Sequence, residues 1–330
     1  MRRSVRFLVV VFLLFVVTVP VQGSDGIIEI NQASAIAGGV TTGDTPGFPV
    51  TLSAPGSYLL TGNLTVPGEN TRAIDVASND VTLDLNGFVI QGPVVCSGTP
   101  LECVPSGGSG EGIFASTRTG VTVRNGTIRG LGNDGVELLG GSTRIEGLSV
   151  LSNGGVGVQI DAGAVSGSHA ESNGGGGLAA SGAATISANT VVRNGDIGIF
   201  AGNGSNVHGN SVRQNESTGI HLGFTGTVSG NTVTQNGDDG IFLTASGTVT
   251  NNTVESNGDD NIEDHGIHIQ GTAFVSGNTV TMSSGHGLRL AAFGAYSGNS
   301  LNANNGGCQN AQLLGGVEIG TNHCCGTTCP

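Results

Sequence analysis

A chain of 330 residues with 60 Gly, no Trp, no Lys and a formal net charge of −13 is not composed like a nucleic-acid binder, whose contact surface must be basic. The same acidity repels anionic membranes, and it repels uronic-acid polymers unless a cation or a local Arg intervenes. Abundant Gly, Ser, Thr and Asn beside few aromatics would suit a disordered chain, but a strict repeat through most of the sequence argues against that.

In chain order, Arg2, Arg3 and Arg6 precede an apolar run from Phe7 to Val19 and the small-residue pattern Val21-Gln22-Gly23. This is the layout of a secretory signal peptide over residues 1–23, cut near Ser24, and the run is short for a membrane anchor. Losing those three Arg takes the net charge from −13 to −16. The expected location is secreted, periplasmic or at the cell envelope, with no membrane insertion.

Residues 24–55 read as an N-terminal cap, with alternating Ile27-Ile28-Glu29-Ile30 and a short helix near Asn31 to Ala37. Without a cap the first coil of a repeat protein would expose a raw sheet edge. From Gly56 onward, segments such as Tyr58-Leu59-Leu60, Ala73-Ile74-Asp75-Val76 and Val81-Thr82-Leu83-Asp84-Leu85 alternate apolar and polar residues, as half-buried strands do. An insertion over residues 92–110 carries Cys96 and Cys103.

The register is clearest at Gly135, Gly157, Gly177, Gly198, Gly219, Gly240, Gly266 and Gly287, spaced 22, 20, 21, 21, 21, 26 and 21 apart. A period near 21 indicates a solenoid. Leucine-rich repeats share that length, but their Leu pattern and helical segment are missing. Each repeat holds three short strands and three polar turns, so the expected fold is all-β, a parallel β-helix over residues 56–306. Inward columns such as Val136, Val158, Leu178, Ile199, Ile220, Ile241, Ile267 and Leu288 would stack into one core, about 4.8 Å per coil. Two Asn columns, Asn189 to Asn299 and Asn153 to Asn304, the second interrupted at Ser283, are expected at tight corners. Asn tolerates a left-handed backbone there, and stacked amides can bond from coil to coil.

Residues 307–330 read as a Cys-rich C-terminal cap. Six Cys in an exported chain suggest disulfides. Cys96 and Cys103 are placed to pair locally, and adjacent Cys324 and Cys325 should take different partners. A four-Cys metal site lacks the paired C-x2-C spacing.

The motif Gly-Ile-x-Leu…Val-Ser-Gly-Asn-Thr-Val…Asn-Gly, as over residues 219–237, resembles the parallel β-helix repeat of the pectate-lyase-like superfamily. That superfamily includes polysaccharide lyases, mannuronan epimerases, glycoside hydrolases and repeat proteins of no assigned activity. The resemblance implies a right-handed helix and glycan bound along an outward sheet. It is specific for fold and weak for function.

The outward column of the first strand reads Glu137, Gln159, Ala179, Phe200, His221, Phe242, His268, Arg289. Two exposed Phe are unexpected there, and with His221 and His286 they suggest a sugar platform. Asp239, His265 and His286 stand just before successive opening glycines. The 26-residue coil bulges beside them through Asp259, Asp260, Asn261, Glu263 and Asp264, and a bulge in one coil of a solenoid often carries function.

Two mechanisms suit this set. In one, Asp259, Asp260, Asn261 and Glu263 offer hard oxygen ligands to Ca²⁺. His265 or His268 then abstracts a proton beside a uronate carboxylate, and Arg289 stabilises the enolate. In the other, Asp239 and Asp264 form the acid/base pair of a glycoside hydrolase. Departures from the resembled enzymes are plain: no Lys is present, and Asp264-His265-Gly266 lacks the Pro of an Asp-Pro-His motif. A transition-metal site through Asp239, His265 and His286 is a further expectation. The function expected is binding of an extracellular or envelope polysaccharide by a monomer, with processing of it left open. The competing class is a structural or adhesive rod, in which the acidic turns are merely solvated.

Overall fold

The computed structural model describes residues 26–259 and 262–329. The expected signal peptide, and Asp260 and Asn261 of the bulge, lie outside the described residues. No helix among the described residues is long and apolar enough to cross a membrane.

Alternation decides the architecture. In each coil the strand opens on an inward Ile, Leu or Val, turns one side chain outward, and closes on a second inward residue, as in Ile220–Leu222, Ile241–Leu243 and Ile267–Ile269. The inward residues are buried and the outward ones half-buried. These first strands stack into one 12-stranded parallel sheet from Val50–Leu52 to Leu313–Leu314. The second and third strands of each coil, for example Gly226–Ser229 and Thr232–Thr234, stack in the same way onto their equivalents in the next coil. The fold is therefore the expected parallel solenoid with three short strands per coil. Its core is a continuous column of Val, Ile, Leu and Ala down the axis, shared between neighbours because no coil buries enough alone.

Parallel pairing reaches beyond the periodic body at both ends. Ile27–Ile30 pairs with the strand at Gly56–Leu60, and His323–Cys324 pairs with Ser300–Asn302. The expected short helix is Gln32–Ala37. Asn31 caps it by accepting the Ala33 and Ser34 N–H groups, and Ser34 reciprocates in a capping box, satisfying donors that a helix start leaves unpaired. Three disulfides close the described chain, Cys96–Cys103, Cys308–Cys325 and Cys324–Cys329. The adjacent Cys324 and Cys325 thus take different partners, and no thiol is left for a Cys metal site.

The opening glycines are required by space. A Cβ on Gly240 would sit 2.6 Å from Val254 Cγ1, 2.7 Å from the Gly266 carbonyl oxygen and 2.8 Å from Asn257 Nδ2. Only Gly allows the coils to approach that closely at this corner.

The Asn columns form the expected amide ladders, but without the expected left-handed Asn backbone. Left-handed φ values fall on the residue before each Asn (Arg193, Gln214, Gln235, Ser256) and not on the ladder Asn themselves. Each ladder Asn is instead selected by its amide. Asn210 Nδ2 donates to the Ile186 carbonyl at 2.9 Å and to Asn231 Oδ1 at 3.0 Å, and its backbone N–H reaches the same oxygen at 2.9 Å. One side chain therefore ties three coils while fully buried, and satisfied buried amides are what a low-dielectric core demands. The first ladder runs on to Asn322, and the second ends on Gln312. At the break, Ser283 Oγ is buried with no partner among the described residues.

Candidate active site

The first sheet positions the chemistry, because its register sets every fifth-ångström step. Phe200, His221, Phe242, His268 and Arg289 are successive register partners on its outward face. Their rings touch in sequence, edge to face at Phe200–His221 and tilted thereafter, with centroids 5.3, 4.8 and 5.0 Å apart from Phe200 to His268. Contrary to expectation, Phe200 and Phe242 are half-buried in this stack, not exposed. Burial pushes the His221 imidazole below its ordinary value, partly opposed by Asp239, and its Nε2 is buried with no partner among the described residues.

A second column runs beside the first, one position before each opening Gly: Asp239, His265, His286. Asp239 is held by two contacts. Its Oδ1 accepts the His265 backbone N–H at 2.5 Å, and its Oδ2 lies 2.9 Å from His268 Nδ1. A carboxylate can only accept, so the His268 proton sits on Nδ1 and the lone pair of a neutral ring is on Nε2. No partner occupies that Nε2 among the described residues.

His265 repeats the pattern one coil on, its Nδ1 accepting the His286 backbone N–H at 3.0 Å. Burial, then His268, Arg289 and His286, drive its pKa down to about 3, so the ring is neutral and its proton is on Nε2. Arg289 Nη1 lies 2.9 Å from that same nitrogen. With the proton on Nε2, two donors face each other, which makes this corner a place where an anion would be accepted. The Glu263 carboxylate is at hand, with Oε2 2.6 Å from Arg289 Nη1 and its side chain 66% exposed. His286 is also shifted down, by burial first and Arg289 second, against Glu263, and its Nδ1 is buried without a hydrogen-bond partner among the described residues.

The expected acid/base pair is unequal. Burial raises Asp264 to about 6, with repulsion from Asp238 adding to it and the Asp259 N–H opposing. Asp239 already has both oxygens engaged, which leaves it suited to orient His268. The expected transition-metal set is not assembled: His265 Nδ1 is committed to a backbone N–H, and no three His, Cys, Asp or Glu among the described residues form a metal-binding group. For calcium, Asp259 and Glu263 are in place on the bulge, but Glu263 pairs with Arg289.

Two features were not read from the sequence. The insertion forms a hairpin, Val95–Ser97 with Glu102–Val104, that arches along the solenoid. Cys96 Sγ rests on the Asn153 carbonyl, and the Leu101 N–H donates to Glu216. Beneath it is a cavity of about 640 Å³ lined by Arg193, Gln214, Glu216 and Gln235, beside the corner that leads to Asp239. The second feature extends both site columns toward the N-terminus. Arg72 lies 3.6 Å over the Phe114 ring and 2.8 Å from Glu111, and Asp134 accepts the Val156 N–H at 2.7 Å. Burial raises Asp134 to about 6 against that hydrogen bond, with Glu137 and Glu111 adding repulsion.

Among known proteins, a family model described as right-handed beta helix region matches residues 89–226, and one described as periplasmic copper-binding protein (NosD) matches residues 178–313. No curated protein matches the sequence. The fold is similar to the Dettilon tailspike protein at 15% identity, covering 80% of this chain and 55% of that one with a TM-score of 0.50. The chain thus spans about half of that tailspike's length. It is also similar to the Azotobacter vinelandii mannuronan C-5 epimerase AlgE6 A-module, at 13% identity, 84% and 91% coverage and a TM-score of 0.43. The enzymatically active domain of bacteriophage CBA120 tailspike protein 2 follows at 13% identity, 80% and 45% coverage and 0.48. At such identities the likeness is one of fold alone. With the right-handed beta helix model matching residues 89–226 and the parallel register seen throughout, the findings support a right-handed parallel β-helix fold for the chain.

Proposed function

We propose that the face around His268 binds an acidic extracellular or envelope polysaccharide and removes the proton beside a uronate carboxylate. The observation that carries this is the Asp239–His268 pair lying next to the two-donor seat of Arg289 and His265. A sugar carboxylate entering the seat takes the place of exposed Glu263, accepting from Arg289 and from His265 Nε2–H. His268 Nε2 accepts the C5 proton, Asp239 steadies the imidazolium that forms, and the two donors hold the enolate charge. The half-buried rings of Phe242 and Phe200 offer apolar faces to neighbouring sugars. From the enolate, loss of the 4-linked sugar gives an unsaturated product, and reprotonation from the other face gives the epimer. The cavity under the hairpin and the bulge both lie at the corner that leads into this face. The three disulfides fit an oxidising compartment outside the cytoplasm.

Calcium uptake at the bulge through Asp259, Asp260, Asn261 and Glu263 is a separate proposal, and no step above is routed through it. Titration calorimetry on chelator-treated protein should show uptake that Asp259→Ala/Asp260→Ala removes. Flat traces at millimolar Ca²⁺ would exclude it.

The proton-abstraction reading is tested by incubating the purified protein with polyuronates while following ultraviolet absorbance, reducing ends and the proton spectrum of the polymer. Unsaturation or inversion at C5 supports it. Reducing ends without unsaturation would transfer the chemistry to Asp264 as a raised-pKa acid. Binding without turnover would leave a rod that holds glycan.

A further inference from the structure

Across one turn from the His268 face, the corner between the first and second strands carries a patch of a different character. Phe224, Phe274 and Phe293 are 59%, 40% and 80% exposed there. Isolated exposed apolar residues are ordinary, but three on one corner of a strongly acidic chain call for a reason. Between the rings runs a shallow groove of about 500 Å³ whose lining holds no charged side chain.

The register explains how the groove is built. Gly226, Gly247 and Ala273 are successive partners, as are Thr227, Thr248, Phe274 and Ala295. The small residues make a flat floor, and larger ones would not fit: a Cβ on Gly226 would lie 2.3 Å from the Ser205 carbonyl oxygen. Thr225, Ser246 and Thr272 stand at the edge of that floor in consecutive coils. Thr225 Oγ1 is 2.6 Å from Asn203 Oδ1, whereas the hydroxyls of Ser246, Thr248 and Thr272 have no hydrogen-bond partner among the described residues. Phe274 and Phe293 belong to adjacent coils, and the groove crosses four coils, about 14 Å at the usual strand spacing.

Aromatic faces alternating with free hydroxyls on a flat, uncharged floor complement a ligand that is itself apolar on ring faces and polar at ring edges. A charged polymer would gain nothing from this lining. A second protein copy would find three rings around a narrow groove of small residues, short of the roughly 800 Å² per partner of a stable interface. We propose that this corner is a second saccharide-binding site, one that takes a neutral, hydroxyl-rich glycan by stacking on Phe274 and Phe293 and hydrogen-bonding Ser246, Thr248 and Thr272. The site is independent of the reaction proposed at His268 and stands whether or not that reaction occurs.

The test is calorimetric titration of the full chain with maltohexaose, cellohexaose, mannohexaose and xylohexaose, at low salt and at 0.5 M salt, with light scattering alongside. At least one oligosaccharide should bind with an affinity unchanged by salt. Phe293→Ala and Phe274→Ala should each weaken that binding about tenfold or more, at an unchanged melting temperature, while His268→Ala leaves it intact. Binding to none of the four, or binding indifferent to both Phe substitutions, overturns the proposal. So does a concentration-dependent dimer that Phe293→Ala abolishes and sugars do not disturb, which would make the patch a contact between copies.

Discussion

His265 and His268 are near neighbours, with ring centroids 5.1 Å apart, yet their hydrogen bonds give them opposite duties. His268 donates its Nδ1–H to Asp239 in a hydrogen bond and keeps its lone pair on Nε2, as a general base needs. His265 gives its lone pair to the His286 backbone and keeps an Nε2 proton, as an anion-holding donor needs. Sequence pattern alone leaves either His as the base; the backbone N–H that His265 accepts decides between them. If the assignment is right, His268→Ala should lower turnover on a polyuronate by about 10²–10⁴-fold, the usual worth of a general base. His265→Gln, which can still accept the backbone N–H and donate, should lose far less. Equal losses in steady-state assays would contradict the division of roles. Arg289→Ala should raise KM and lower kcat together, since the guanidinium meets both the carboxylate and the enolate.

Elements in this protein are defined by what they share with the coil above and below. The repeat glycines, the inward columns and the Asn ladders all recur at a fixed step, and so were legible in the sequence. What the sequence hid is what departs from the step. Arg72, Glu111 and Phe114 fall in register with the site columns, but the insertion over residues 92–110 separates Arg72 from the other two and breaks the period, and Ala73 stands where an opening Gly would mark the coil. Asn322 and Gln312 end the ladders after irregular gaps. The left-handed positions before the second ladder carry Ser, Arg, Gln, Met and Ala, so no residue type announces them, whereas Gly stands at most of those before the first. The hairpin's reach to Glu216 is a non-periodic contact with no local signal. At this scale the ladder makes a prediction. Asn231→Ala removes the acceptor of the Asn210 N–H, one of the acceptors of Asn210 Nδ2, and the side-chain donor to the Val207 carbonyl, at about 1–3 kcal/mol for each buried group left unsatisfied. Chemical denaturation should show a loss of several kcal/mol, and a loss below about 1 kcal/mol would mean that water enters and replaces the amide.

Over the whole molecule, buried acids on an already acidic chain make stability depend on pH. Asp134 is raised from 3.8 to about 6. Folding therefore favours its protonated form, so its contribution is fully present below about pH 4 and is lost as pH rises through 6. Asp134→Asn keeps an oxygen for the Val156 N–H and removes the charge. The variant should melt higher than the parent at pH 8, by the equivalent of up to about 3 kcal/mol, with the gap closing toward pH 4. An equal or lower melting temperature at pH 8 would show the carboxylate to be stabilised by a partner. The acidity also bears on the proposed function, since a polyuronate would be repelled except where donors such as Arg289 and His265 offer it a seat.

The measurement that tests the account most directly is the exchange of the sugar C5 proton. Polyuronate incubated with the protein in deuterated water should take up deuterium at C5, or become unsaturated at C4–C5, and Asp239→Asn and His268→Ala should suppress both. A polymer that binds to this face yet returns with its C5 protons intact would contradict proton abstraction by His268.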